Sequence, residues 1–337
     1  MITVEARMGR KILFDARWIG EHGIGRFAKE IREIDLDIRD IKFPWKPTNP
    51  FDTLLVSIYL MFNKGLFFSP GYNAPFLFQK RCIITVHDLN HIDIPYNTSR
   101  LKKIYYELVL KRACKNAHCI LTVSEFSKKR ILEWSKRDAK DIYVVGNGVS
   151  SEFFEIKNIP KENQILIVGN RKAHKNEAMA LRAISESCIP NTVKVIFTGN
   201  ETPELNSIIK KQGLSNRVIF KGLLSNEDLA SEYRKSLFLL FPSLYEGFGL
   251  PVIESMACAT PVIASNTTSL PEVSGEAALL VNPEDIQDIK RRIERLYNDK
   301  SLRLELSEKG LLNAQRYSWS KTRMIVKKII DKYTKRI

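Results

Sequence analysis

Short β-branched and apolar runs recur along the chain, each followed by a longer stretch in which apolar and polar residues mix at helical spacing. Runs at 11–16 (KILFDA), 82–86 (CIITV), 119–123 and 142–145 predict strands in the first half. Runs at 165–168, 193–198, 218–221, 237–241 and 262–264 predict strands in the second. Runs with so little alternation suit strands buried on both faces, so the pattern predicts an α/β fold with parallel sheets. In the first half, helices are expected from Arg26 onward, over about 99–117 (a basic one), and from Ser124-Glu125-Phe126-Ser127. Residues 43–80 crowd Pro, Gly, Phe and Tyr together (FFSPGYNAPFLF at 67–78) and read as irregular, aromatic-rich chain. The polar segment 157–163 (KNIPKEN) marks a boundary, giving a first domain over 1–157, a second over 158–317 and a basic amphipathic helix over 318–337.

Candidate chemistry concentrates in 241–265, FPSLYEGFGLPVIESMACATPVIAS. An apolar run feeds a turn-rich loop, and Pro251 opens a helix at the position where a missing N–H costs least. Strand, loop, helix, strand is one turn of a βαβ unit, in which ligands collect at the carboxyl end of the strand. Gly247 and Gly249 let backbone N–H groups approach a ligand closely, and the helix N-terminus behind them favours negative charge. Glu246 and Glu254 stand on either side of this loop. Two carboxylates around an anion-favouring loop suit a ligand with hydroxyls at both ends and phosphates between, which describes a nucleotide sugar. Taken alone, the same residues also fit a tight βα turn with Glu254 solvated in the first helical turn. Gly23-x-Gly25, ahead of the helix at Arg26, is a second place for phosphate or sugar to meet amides; it lacks the third glycine of a dinucleotide fingerprint.

With both acids at Glu-x7-Glu spacing and GFGLPVIE following Glu246, this stretch resembles the sugar-nucleotide motif of retaining glycosyltransferase family 4. The resemblance covers the chain almost end to end and is strongest over 164–320. In the first half, GIGRF and TVHDLNHIDIP resemble the bacterial O-antigen mannosyltransferase branch. It implies the GT-B fold, two Rossmann-like doubly wound domains facing across a cleft, with the last helix crossing back to the first domain. It implies that Glu254 holds ribose hydroxyls and Glu246 contacts the donor sugar, with the N–H groups of Phe248, Gly249 and Leu250 on sugar or phosphate. Lys175 matches the phosphate-binding lysine. Arg171 is a second phosphate cation, although many relatives place their arginine where this chain has Asn170. The base is expected near Phe220-Lys221-Gly222-Leu223, Gly23, Ile24 and Gly25 on the phosphate side, and His87 against the donor sugar and the acceptor hydroxyl.

Breaking a glycosyl–phosphate bond develops negative charge on the leaving diphosphate and oxocarbenium character at the sugar, which is why fixed cations and N–H donors are needed there. No protein base for the acceptor emerges, as expected if configuration is retained by a front-face mechanism in which the leaving phosphate takes the proton. The resemblance makes GDP-mannose the first donor and a lipid-linked oligosaccharide or cell-surface polysaccharide the acceptor. No cofactor besides the nucleotide-sugar substrate and no metal are expected, since Asp35-Leu36-Asp37 lies in an acidic stretch without a strand end beside it.

The net charge of +15 is concentrated. Residues 99–140 hold twelve Lys/Arg against four Asp/Glu, and 318–337 hold seven against one. Such blocks suit an anionic membrane surface or a solvated helix face, whereas nucleic acid lacks any accompanying motif. The longest apolar stretch, Leu54 to Phe62, is half of the ~20 residues a spanning helix needs. With no leader pattern in 1–11, the expected location is cytoplasmic, peripheral on the inner face of the cytoplasmic membrane. The five cysteines form no C-x-x-C pair and read as reduced thiols. Two alternatives keep part of this picture. One is nucleotide-sugar epimerisation or phosphorolysis on the same fold, the latter needing a cofactor-bearing lysine context that is not found. The other is a non-catalytic basic membrane-surface protein, against which the intact Glu246, Glu254 and Lys175 argue.

Overall fold

The computed structural model describes residues 11–94, 100–154 and 159–334, so the leader reading of the first ten residues and the start of the 157–163 segment lie outside the described residues. The chain divides into two compact units. One runs to Asn147 and resumes at Trp319; the other runs from Gly148 to Ser318.

Among the described residues the first unit holds a parallel sheet of β1 (Ile12–Asp15), β2 (Ile38–Ile41), β3 (Leu66–Ser69), β4 (Cys82–Thr85), β5 (Cys119–Thr122) and β6 (Ile142–Val144), in the order β2-β1-β3-β4-β5-β6. Its central strands are buried along their length because both faces are covered. Alternate residues serve the two faces. Leu13, Phe67 and Ile84 join Val56, Leu60 and Leu110 on one side, while Ile12, Phe14 and Phe68 join Phe27 and Ile31 on the other. Helix Trp319–Thr334 adds Trp319, Val326, Ile330 and Tyr333 to this second face, and Arg323 pairs with Glu30 of helix Gly23–Arg32.

The second unit repeats the plan with β7 (Gln164–Ile167), β8 (Lys194–Phe197), β9 (Val218–Phe220), β10 (Phe238–Phe241), β11 (Val262–Ser265) and β12 (Leu279–Val281), all parallel, in the order β12-β11-β10-β7-β8-β9. From β7 the chain moves outward to β9, then returns to lay β10 on the other side of β7. That reversal opens a crevice at the carboxyl ends of β7 and β10, the place where doubly wound sheets bind ligands.

Several boundaries differ from the sequence reading. The second unit begins at Gly148 rather than 158, because helix Ser151–Phe154 belongs to its core. Phe153 is fully buried there, and Arg234 donates to the carbonyls of Glu152 and Phe153 at 2.8 and 3.1 Å. Residues 43–80 are not irregular: they contain helix Asp52–Phe62 and the interior strand β3. The first helix starts at Gly23, three residues before Arg26, because the His22 side chain caps it, Nδ1 accepting from the Gly25 N–H at 3.0 Å. The basic helix is helix Arg100–Tyr105 and helix Lys111–Asn116 joined by a π-helical turn, Tyr106–Leu110.

Candidate functional site

In the second unit the loops after β7 and β10 are tied together by Asn176. Held at φ +56°, it donates through Nδ2 to the carbonyls of Pro242 at 3.1 Å and Pro283 at 2.8 Å. The Leu244 N–H donates to the His174 carbonyl at 2.7 Å. This clamp brings Lys175 to Glu246: Nζ lies 2.6 Å from Oε1, each side chain is 13% exposed, and the ammonium also sits over the Phe241 ring. A charge pair so poorly solvated, at the carboxyl ends of the two strands that flank the reversal, presents a cation and a carboxylate side by side to anything entering the crevice.

The Glu246 loop is fixed from behind. Its backbone N–H donates to Thr268 Oγ1 at 3.2 Å, and Ser269 Oγ donates to the carbonyls of Glu246 and Phe248. Phe248 is buried against Tyr317. Gly249 has φ +100°, and a Cβ there would lie 2.5 Å from Leu270 Cδ2, so both conformation and space demand glycine. Helix Leu250–Ala257 then carries Pro251 in its first turn and has no side-chain cap, and the Val252 N–H donates to the Gly249 carbonyl at 3.0 Å.

Three of the residues expected at the ligand have partners within the protein. Arg171, at φ +63°, does not point a bare charge into the crevice. It pairs with Glu177 at 2.6 Å, donates to the carbonyls of Asn200 and Thr198, and stacks on Phe197 and Phe220. The reason is local: Glu177 lies against Gly169 and supplies the carboxylate that a partly buried guanidinium requires. Arg171 thereby ties the β7 loop to the ends of β8 and β9. Lys221 donates its N–H to the Phe197 carbonyl, and its ammonium lies 3.4 Å from Glu232. Glu254 is 1% exposed rather than solvated, and its Oε2 accepts from the Tyr233 hydroxyl at 3.1 Å.

In the first unit, Gly23, Ile24 and Gly25 form the opening turn of a helix instead of a free loop, and the Gly25 N–H is taken by His22. A Cβ at Gly25 would lie 2.4 Å from the Gly20 carbonyl oxygen. His87, beyond the end of β4, is 7% exposed, with Nε2 2.8 Å from the Pro70 carbonyl and its ring edge-on to Phe27. A carbonyl only accepts, so Nε2 carries the hydrogen and Nδ1 is left as an acceptor. Burial lowers the His87 pKa and keeps the ring neutral.

Sequence reasoning missed a buried network at the corresponding reversal of the first sheet, between β1 and β3. Arg17 pairs with Asp15 and Asp52, both at 2.6 Å, while Asn73 donates to Asp15 at 2.6 Å and accepts from Trp18 Nε1. Trp45 Nε1 donates to Asp52 at 2.8 Å. Asp15 and Ser69 at two adjacent apolar run ends were the available signal. Asp35, of the Asp-Leu-Asp pair, faces Lys327 at 3.8 Å.

Two parallel doubly wound sheets, one carrying a charge pair and a glycine-shaped loop at its reversal, place the chain among α/β proteins built from two such units. Comparison with known proteins agrees. Residues 149–312 match the family described as Glycosyl transferases group 1, and residues 63–153 match Glycosyltransferase Family 4. The O-antigen chain mannosyltransferase B of Escherichia coli is 28% identical over 272 residues, 75% of this chain and 71% of that protein. An uncharacterized glycosyltransferase of Methanocaldococcus jannaschii is 31% identical over 266 residues, 78% of this chain and 73% of that one. Among solved structures, the Anabaena HepE protein in complex with UDP and glucose superposes with a TM-score of 0.75 at 15% identity, covering 96% of this chain and all of that one. The chain belongs to this glycosyltransferase family and has its GT-B fold.

Proposed function

We propose that the protein is a retaining hexosyltransferase that moves mannose from GDP-mannose to a lipid-linked oligosaccharide or cell-surface polysaccharide, working without a divalent metal at the cytoplasmic membrane surface. The observation that carries this reading is the Lys175–Glu246 pair at the β7/β10 reversal, beside the uncapped start of helix Leu250–Ala257. Lys175 and the helix N-terminus supply positive potential for the diphosphate as it leaves, and Glu246 takes sugar hydroxyls and stabilises the cationic ring. Binding replaces the internal pair, with phosphate taking Lys175 and sugar taking Glu246. Glu254, anchored by Tyr233, is assigned the ribose hydroxyls, which requires the bound nucleotide to uncover it. His87, with an acceptor nitrogen at Nδ1, receives a hydrogen bond from a sugar or acceptor hydroxyl. Mannose is favoured over other hexoses by the likeness to the E. coli mannosyltransferase.

The test is a thermal-shift screen of GDP, UDP, dTDP and ADP, followed by turnover of the matching sugar nucleotides with chelator present and NMR of the product anomer. GDP should stabilise most, GDP-mannose should turn over with chelator, and the α-configuration should be kept. Stabilisation by UDP alone would replace the donor, an inverted anomer would remove the front-face mechanism, and activity lost with chelator and restored by Mn²⁺ would remove metal independence.

A further inference from the structure

Helix Asp52–Phe62 is unusual for a surface helix because both of its faces are apolar. Thr53, Val56, Ser57 and Leu60 turn inward and are buried. Phe51, Leu54, Ile58, Met61 and Phe62 turn outward and are between 51% and 78% exposed, at positions where a surface helix ordinarily carries charge. The segment that follows in space extends the patch. The N–H groups of Phe76 and Leu77 donate to Ser57 Oγ, at 2.9 and 3.1 Å, which seats Phe76, Leu77 and Phe78 beside this helix with their side chains 38–46% exposed.

Cations surround this patch. Arg112 lies over the Phe76 ring at 4.3 Å and Arg81 over the Phe78 ring at 4.8 Å, and Lys64, Lys80 and Lys115 are exposed. From Phe51 through Arg81 the one acidic residue is Asp52, which is buried and paired with Arg17. A greasy centre rimmed by lysine and arginine, with no exposed carboxylate along that stretch, matches the interface of a bilayer whose headgroups are anionic. A second copy of the chain fits less well, because self-pairing would bring the same cations against one another. We infer that the protein docks on anionic lipid through the outward face of helix Asp52–Phe62 and the Phe76–Phe78 segment, the aromatic and aliphatic side chains entering the headgroup layer while the rim cations meet phosphates. This deepens the membrane-surface side of the function proposed above and rests on it only for the lipid-linked acceptor.

Vesicle co-sedimentation tests it without donor or acceptor, so its failure and the failure of the transferase reading are told apart. Vesicles of phosphatidylcholine with about one-third phosphatidylglycerol should pellet the protein at low salt, and pure phosphatidylcholine should do so much less. Leu54→Gln with Ile58→Gln, and separately Lys80→Glu with Arg112→Glu, should each weaken binding by at least about tenfold. Both variants should keep the wild-type unfolding midpoint and nucleotide thermal shift; because their side chains are exposed, folding is not at stake in either. Wild-type protein that stays in solution with the anionic vesicles, or variants that bind like wild type, would overturn the proposal. So would a wild-type dimer that Ile58→Gln converts to monomer, which would assign the face to a second copy.

Discussion

At the scale of single residues, Lys175 and Glu246 make opposite demands on a ligand and satisfy each other in its absence. Lys175→Ala should lower kcat by about 10²–10³, the range seen when one preorganised charge-stabilising group is removed, and should also lower the unfolding midpoint because Glu246 loses its partner, as read by steady-state kinetics beside urea unfolding. Glu254→Gln keeps an acceptor for Tyr233 and removes only the charge, so it should weaken GDP about tenfold by titration while leaving the fold intact. The His87 prediction concerns pH. Burial lowers its pKa from 6.5, so the folded protein holds this proton less readily than the unfolded chain. Stability should therefore fall as pH drops below 6.5, while Nδ1 stays an acceptor until the lowered folded value is reached. The acid limb of kcat/KM assigned to this histidine should lie below 6.5 and vanish in His87→Asn. The sequence placed Lys175, Arg171 and Glu246 just beyond strand ends, but not the partners they take in the fold: Glu246 for Lys175, and for Arg171 the Glu177 carboxylate and the carbonyls of Thr198 and Asn200, which come from outside the motif in which each was read.

At the scale of elements, the apolar runs named most of the strands, because a strand buried on both faces needs no alternation to be visible. Helix Asp52–Phe62 was hidden for the converse reason: with apolar residues on its outer as well as its inner face, the helical period disappears from the pattern. β2 was also hidden, as IRDI at a sheet edge carries two charges in four residues. The start of the first helix depended on histidine acting as a cap, a role for which composition gives little warning. The loop that joins β10 to its helix gives the sharpest element-level prediction. Gly249→Ala forces a Cβ onto Leu270 in a backbone conformation that resists one, and should cost about 2–4 kcal/mol by urea unfolding. Donor affinity should fall with it, because the amides of Phe248 and Leu250 would be re-aimed.

At the scale of the whole molecule, each unit encloses its own cores, and helix Trp319–Thr334 belongs to the first unit although it follows the second in sequence. Ile330 is 1% exposed within that first-unit core. Ile330→Ala should destabilise by about 2–4 kcal/mol, and limited proteolysis or hydrogen exchange should locate the loss in the first unit, sparing β7 to β12. The helix has a further consequence for how the protein is made. During synthesis domains ordinarily fold in the order in which they emerge from the ribosome. Here the first unit to emerge lacks one wall of its core until residues 319–334 have been translated, whereas the unit made second is complete without them. The second unit can thus be complete before the first, whose second sheet face stays without Trp319, Val326, Ile330 and Tyr333 until the helix that follows the second unit has been made.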